Sequence, residues 1–561
     1  MRFRRTTQAV FFTIFLLLLA LASYPYHDGL AVDMFLLLDP LIGVGTAVAA
    51  RHLAPDLVPA LLVLGVTLLL GRVFCGHACP MGTTLDILEA CLGPRKNDPA
   101  KFNSYGATSN RRRWKYLGLA FIMAGAAGGV SLVFLGSPLS LVTRFYGMVA
   151  HPILLLIGDS GLDLASRLAE TLPSVNFVQI EQRAFATNMF VAAMLVAIAL
   201  LAYYQPRFWC RNLCPAGALM GLCSRAPVLR RQVGESCSGC GRCVRECPVS
   251  AISEDPRKTV HSECIVCLKC REICPESAIS FASGINDSGE RPAHVDPTRR
   301  GVLLALATGL GTAGLLRTGV GYPTTSGKEQ VLADPELIRP PGSLPEAEFL
   351  ARCVRCGECM KACPTNTLQP TWLKAGLEGL FSPVMLPRLA ACAVHCNVCG
   401  KVCPTGAIRD VPLIEKQHAK VGTAWIARQK CLAWEQDKKC LVCDEVCPYN
   451  AVSFQPVTGR RNTVPFIIAN RCTGCGWCET KCPVAGASAI LVSIMGEIRI
   501  STGSYVEKAR EYGLVFKTKD NSVDRLSTET FEMPTGTNEP AAVGPSPATG
   551  ESELPPGFDL K

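Results

Sequence analysis

The chain has 561 residues, 49% hydrophobic and 18% charged, with a formal net charge of +10 and 30 cysteines, and its mean hydropathy is +0.25. Such length and apolarity exclude a single soluble domain, since a domain takes roughly 100 to 200 residues and a soluble one carries more charge. The basic residues lie beside apolar stretches, where membrane topology places them, so nucleic acid is excluded as a partner.

Four apolar stretches, residues 8–24, 57–74, 116–135 and 185–204, are expected to cross the membrane as helices, each close to the roughly 17 to 25 residues a span takes. Arg2, Arg4 and Arg5 precede the first, Arg95 to Lys115 lie between the second and third, and Arg207, Arg211, Arg225, Arg230 and Arg231 follow the fourth. By the positive-inside rule all three groups are cytoplasmic. The opposite loops carry Asp28, Asp33, Asp39, Asp56, Asp159, Asp163, Glu170 and Glu181, and two semi-apolar runs, 34–50 and 139–157, expected to be interfacial or re-entrant helices. His27, His52 and His151 in this region are candidates to accept a quinol's proton near neutrality, although a lone histidine is more often a structural residue.

At the inner ends of the second and fourth stretches stand Cys75-Gly76-His77-Ala78-Cys79-Pro80 and Cys210-Arg211-Asn212-Leu213-Cys214-Pro215. This duplicated C-x3-C-P device is expected to gather Cys75, Cys79, Cys210 and Cys214 into a redox or metal site. Cys91 and Cys223 read as buried apolar residues. Residues 1–235 thus form a four-helix membrane domain.

From Cys237 onward the cysteines come in quartets. Cys237, Cys240, Cys243 and Cys247, then Cys264, Cys267, Cys270 and Cys274, follow the C-x2-C-x2-C-x3-C-P run of bacterial ferredoxins. In that run three thiolates of one tight loop bind a [4Fe-4S] cube and the fourth comes from the partner loop, so Cys274 joins the first three-thiol loop and Cys247 the second. Residues 236–290 are the expected two-cluster ferredoxin domain, on the cytoplasmic side.

Four more quartets follow: Cys353, Cys356, Cys359 and Cys363; Cys392, Cys396, Cys399 and Cys403; Cys431, Cys440, Cys443 and Cys447; and Cys472, Cys475, Cys478 and Cys482. The first and last keep the regular spacing and bracket two irregular ones, which favours pairing first with fourth and second with third. Six quartets account for 24 of the 30 cysteines, and predict six [4Fe-4S] clusters. The short apolar segments after the quartets, such as Ala251-Ile252, Ala278-Ile279, Ala407-Ile408 and Ala451-Val452, suit small strands around the clusters. Residues 490–500 suggest a closing strand or hairpin.

Between the cluster groups, Arg299-Arg300 open a short apolar run ending near Leu316. A twin arginine before such a run marks the Tat route, which exports folded proteins. Residues 296–320 are therefore expected to be an uncleaved fifth span, with the four-cluster domain, 330–500, in the periplasm. The alternative is an apolar helix capping the first ferredoxin domain, with all six clusters cytoplasmic. Residues 517–561, rich in Pro, Gly, Ser, Thr and Glu, read as a disordered tail.

Residues 1 to about 280, with CGHACP, CRNLCP and two ferredoxin loops, resemble the membrane-bound NapH/MauN ferredoxin-type proteins. Residues 297 to about 500, with RPPGSLPEAEFLARCVRCGECMKACP and four cluster loops, are similar to the periplasmic NapG/MauM proteins. The resemblance implies a fusion of the two in the bacterial inner membrane. It would take electrons from the quinone pool and pass them to a periplasmic cytochrome or reductase, as the electron-transfer component of a quinol dehydrogenase. The fold class expected is an α-helical membrane bundle, four spans plus a short fifth, carrying α+β ferredoxin-like domains. Two other readings are an accessory metal or thiol reductase for maturation of another redox enzyme, and a redox-sensing regulator of NosR type.

Overall fold

The computed structural model describes residues 2–26, 29–52, 58–91, 105–168, 182–283, 297–317 and 337–518. His27 and the tail beyond residue 518 lie outside these residues.

The first helix, Arg2–Leu21, follows from a basic start and an apolar run free of glycine and proline, which ends ahead of Ser23 and Pro25. The second apolar stretch behaves differently. Helix Val58–Leu70 stops at Gly71, whose φ of +76° is costly for any residue with a side chain, and the chain resumes as Val73–Cys91 at 97° to it. The bend sets Cys75 and Cys79 at the corner. Helix Pro138–Leu162 begins with proline in its first turn, and the Ser137 hydroxyl accepts the Ser140 N–H at 3.1 Å.

Among the described residues only Phe3–Leu21 and Pro138–Leu162 are single helices long and apolar enough to cross a membrane, or three spans if the bent pair counts as one. Length and composition therefore support two or three of the expected four plus one spans. The run expected to be interfacial is one of the long helices. The third stretch instead sits in helix Tyr105–Ala127, whose first half is polar and charged, and leaves it at Gly129 before a short turn at Val133–Leu135. Asn188–Tyr204 is apolar but has 17 residues. The twin-arginine segment is helix Arg299–Arg317, packed along Tyr105–Ala127. A Cβ on Gly309 would lie 2.5 Å from the Phe121 carbonyl oxygen and one on Gly128 2.6 Å from Ala313, so small residues let these two helices approach closely.

The N-terminal ferredoxin unit closes with Leu229–Val233 paired antiparallel to Ile279–Ser283, Leu229 opposite Ser283 and Val233 opposite Ile279. The C-terminal cluster unit holds three further antiparallel pairs: Leu368–Pro370 with Pro383–Met385, Thr423–Ile426 with Ile490–Ser493, and Val452–Gln455 with Val464–Ile467. Several of the apolar segments after the quartets become these strands. Ile252 and Ile408 instead form single bridges, with Thr259 and Ser343.

The two units dock at opposite ends of the helical bundle. Near the start of the first helix, Arg4 bonds the Gly76 carbonyl, and Gly76 packs on Ile265 of the N-terminal ferredoxin unit. At the other end, Lys361 of the C-terminal unit donates to the carbonyls of Leu19, Ala20 and Ala22. A 20-residue helix rises about 30 Å, the thickness of a bilayer's hydrocarbon core.

Candidate iron–sulfur centres

Each regular loop turns after its second cysteine through a residue of positive φ: Gly241, Leu268, Gly357 and Gly476, at +68°, +60°, +84° and +90°. The turn folds three thiols toward one point. Leu268 adopts it without being glycine, a conformation that a non-glycine residue holds only under tertiary constraint.

Five cavities result, each lined by four cysteines. Cys237, Cys240, Cys243 and Cys274 surround about 340 Å³, and Cys264, Cys267, Cys270 and Cys247 another of about 340 Å³. The ligand exchange expected for this ferredoxin unit is thus present in its geometry. In the C-terminal unit Cys353, Cys356 and Cys359 meet Cys403 around about 370 Å³. Cys431, Cys440 and Cys443 meet Cys482 around about 410 Å³. Cys472, Cys475 and Cys478 meet Cys447 around about 360 Å³. The remaining four, Cys392, Cys396, Cys399 and Cys363, face one another as electrostatic neighbours. The expected pairing of first with fourth and second with third is therefore wrong. Neighbouring quartets pair, first with second and third with fourth.

The cavities suit cubane clusters. Burial pushes the thiols of Cys270, Cys443 and Cys475 up, to about 11, about 12 and about 12, with neighbouring cysteines adding to the shift. Without iron these groups stay neutral at pH 7; bound iron would supply the charge that holds them as thiolates. The cysteines outside the three-thiol loops accept backbone N–H groups: Ala251 to Cys247 at 3.3 Å, Ile408 to Cys403 at 3.4 Å and Ala451 to Cys447 at 3.3 Å. Such N–H···S bonds raise a cluster's potential. No set of three His, Cys, Asp or Glu side chains among the described residues is arranged for a single metal ion.

Sequence reasoning missed the buried cations. Arg112, Lys115, Arg207 and Arg211, read as loop charges, are fully buried with Arg72. Glu263 of the ferredoxin unit accepts from Lys115, from Arg72 at 3.3 Å and from the Tyr116 hydroxyl at 3.0 Å. Burial alone would raise its carboxyl, but Lys115, Arg72 and Arg112 outweigh burial and hold it at about 2. Arg112 donates to the carbonyls of Val249 and Ser250 at 3.0 and 2.5 Å, and Arg211 donates to the Ser250 hydroxyl. Arg231 lines both cavities of this unit, its guanidinium 3.5 Å from Cys243 Sγ. Arg72 and Arg207 do share a place in sequence, each three residues before the first cysteine of a C-x3-C-P pair, but nothing in composition or spacing separates Arg112, Lys115 or Arg211 from topological charge.

The C-x3-C-P cysteines do come together. Cys79 has Cys75, Cys210 and Cys214 as electrostatic neighbours, and Cys75 Sγ lies 3.7 Å from Met220 Sδ. His52 is exposed, whereas the His151 Nδ1 is buried without a partner. Cys91 is exposed, contrary to expectation, because the second half of helix Pro80–Cys91 leaves the core; Cys223 is half-buried.

Three families described as 4Fe-4S binding or dicluster domains match the chain. The 4Fe-4S binding domain Fer4_5 matches residues 57–97 and 187–234. The 4Fe-4S dicluster domain Fer4_7 matches 352–432 and 438–486, and a second dicluster domain, Fer4_10, matches 229–275. The methylamine utilization ferredoxin-type protein MauM of Methylorubrum extorquens is 39% identical over 168 residues, 28% of this chain and 74% of MauM. The chain belongs to the MauM/NapG family of ferredoxin-type proteins. Ferredoxin-type protein NapG of Escherichia coli is 34% identical over 179 residues, 30% of this chain and 76% of NapG. NapG of Haemophilus influenzae is 30% identical over 270 residues, 46% of this chain and 92% of its own length. MauM/NapG membership covers about a third of the chain, carries 4Fe-4S domains and makes electron transfer its function. The two Fer4_7 matches divide between residues 432 and 438, so Cys431 falls in the first match although its cavity groups it with Cys440, Cys443 and Cys482 of the second.

Proposed function

We propose that this MauM/NapG-family chain is a membrane conduit in which six [4Fe-4S] clusters, held by the six cysteine sets above, carry electrons from quinol to a periplasmic cytochrome or reductase. The observation that carries the reading is the docking of two cluster units on opposite ends of one apolar bundle. A chain serving a single compartment has no need of that arrangement.

In this reading helices Tyr105–Ala127, Asn188–Tyr204 and Arg299–Arg317 complete the membrane crossing, their charged ends covered by the docked units. The twin arginine keeps the N-terminal side of Arg299–Arg317 cytoplasmic, and the C-terminal unit lies in the periplasm. The clusters supply one-electron storage. The chain's own residues hold them in dry cavities, aim N–H groups at sulfur, and lock each unit to the bundle through Glu263 at one end and Lys361 at the other. The chain is then the electron-transfer component of a quinol dehydrogenase.

The test is anaerobic purification of the full chain with iron and sulfide analysis, expected at about 24 of each, followed by addition of a quinol analogue and measurement of cluster bleaching. Iron near eight would confine clusters to two sets. Fully loaded protein that no quinol bleaches, and that does not reduce quinone when pre-reduced, would remove the quinone pool from the reading.

A further inference from the structure

The two C-x3-C-P motifs form one pseudo-symmetric site. Each lies in the longer repeat Arg-x-x-Cys-x3-Cys-Pro-x-Gly: Arg72, Cys75, Cys79, Pro80 and Gly82, and Arg207, Cys210, Cys214, Pro215 and Gly217. Each makes the same wide backbone turn, Cys79 N–H to the Phe74 carbonyl at 3.0 Å and Cys214 N–H to the Trp209 carbonyl at 2.9 Å; such i to i−5 turns recur at functional sites. Each second cysteine caps the helix that follows, Cys214 Sγ accepting from Gly217 N–H at 3.3 Å and Cys79 from Gly82 N–H. The arginines cross over. A Cβ on Gly217 would meet Arg72 Nη2 at 2.6 Å, and one on Gly82 would meet Arg207 Nη2 at 3.4 Å, so each motif leaves room for the other's guanidinium.

The site also has neighbours on both sides. Cys75 packs with Val249, Ala251 and Ile265 against the cavity of Cys247, Cys264 and Cys267. Cys79 and Cys214 belong to the same apolar core as Val354 and Cys356 of the C-terminal unit. Four thiols therefore sit in the bundle between cysteine sets of both units.

We infer that Cys75, Cys79, Cys210 and Cys214 form two thiol/disulfide couples that exchange electrons with the N-terminal ferredoxin unit. The inference rests on the cluster reading above. In the reducing direction one S–S bond breaks, takes one electron from each of that unit's two clusters and two protons from the inner face, and yields two thiols. In the other direction two thiols form the bond, release two protons and return two electrons singly. The arginines and helix ends stabilise the negative charge that sulfur carries in passing. Two clusters hold the two electrons that one disulfide needs.

The experiment uses full-length protein purified anaerobically in detergent, its iron content measured first. Samples poised oxidised and reduced are alkylated and their peptides weighed. Expected are four alkylated thiols at Cys75, Cys79, Cys210 and Cys214 when reduced, and peptides lighter by two hydrogens per bond when oxidised. A variant carrying Cys75→Ser, Cys79→Ser, Cys210→Ser and Cys214→Ser should take up four fewer electrons in a reductive titration at unchanged iron. Four thiols that stay alkylatable at both potentials overturn the inference, and so does iron near 28 that falls by about four in the variant, which would make the quartet a further cluster. Iron far below 24 in the parent would instead indict the cluster reading. The parent's alkylation result decides alone if the variant does not fold.

Discussion

Glu263 shows why single residues govern the joints of this molecule. Its carboxylate is 1% exposed and faces two buried cations, Arg72 and Lys115. Removing one member of a buried ionic set leaves the others desolvated and unpaired, at a cost of about 3 to 5 kcal/mol. Glu263→Gln should therefore loosen the N-terminal ferredoxin unit, read as faster hydrogen exchange at Leu229–Val233 and Ile279–Ser283 with the C-terminal unit unchanged. A second carboxylate, Glu346, is clasped by Arg339 and Arg499 at 2.6 Å each. Burial opposes its ionisation, yet the two arginines hold it at about 2, below its ordinary 4.5. A depressed carboxylate stabilises above its unfolded value and ceases to as the pH falls through its folded one. The stability gap between parent and Glu346→Gln, read by urea titration of tryptophan fluorescence, should be full above about pH 5 and shrink toward about pH 2 to 3. The cysteines were legible residue by residue, since cluster spacing is a local code. These charges were not, since their partners lie far along the chain: 191 residues separate Arg72 from Glu263 and 153 separate Glu346 from Arg499.

At the level of elements, the three-thiol loop is set by local sequence and the fourth ligand is not. A tight loop needs only its own turn at positions such as Gly357 and Gly476, whereas Cys403 reaches Cys353, Cys356 and Cys359 because the segments around Ser343 and Ile408 meet in a β-bridge. Regular spacing suggested that like loops pair; packing of neighbours decides instead. Cys403→Ser should lower iron by no more than about four per chain and alter one cluster's spectrum, while the set of Cys363, Cys392, Cys396 and Cys399 keeps its own. Loss of the Cys392 set's signal with the Cys353 set intact would refute this assignment. The bend at Gly71 was equally hidden, because apolar residues resume at Val73 and Phe74 after Gly71-Arg72, a pair that a straight helix also tolerates, and only the positive φ marks the corner.

At the scale of the molecule, opposite docking is a statement about compartments. A helix of lipid-crossing length has its first turns by the N-terminal ferredoxin unit and its last carbonyls capped by Lys361, and the proposed function requires two units so placed to face different waters. Lys361 is fully buried, and its ammonium is the hinge point of that claim. Hydrogen bonds to a charged group contribute roughly 1.5 to 3 kcal/mol each, so Lys361→Met should free the end of the first helix, read as lost exchange protection near residues 19–22. The stronger check uses intact cells and inverted vesicles. Protease applied outside intact spheroplasts should cut within residues 337–518 and spare 229–283, and inverted vesicles should give the reverse pattern. Cleavage of both units from one side alone would place all six cysteine sets in a single compartment, and the bundle between them would then serve as an anchor with no electrons to carry across.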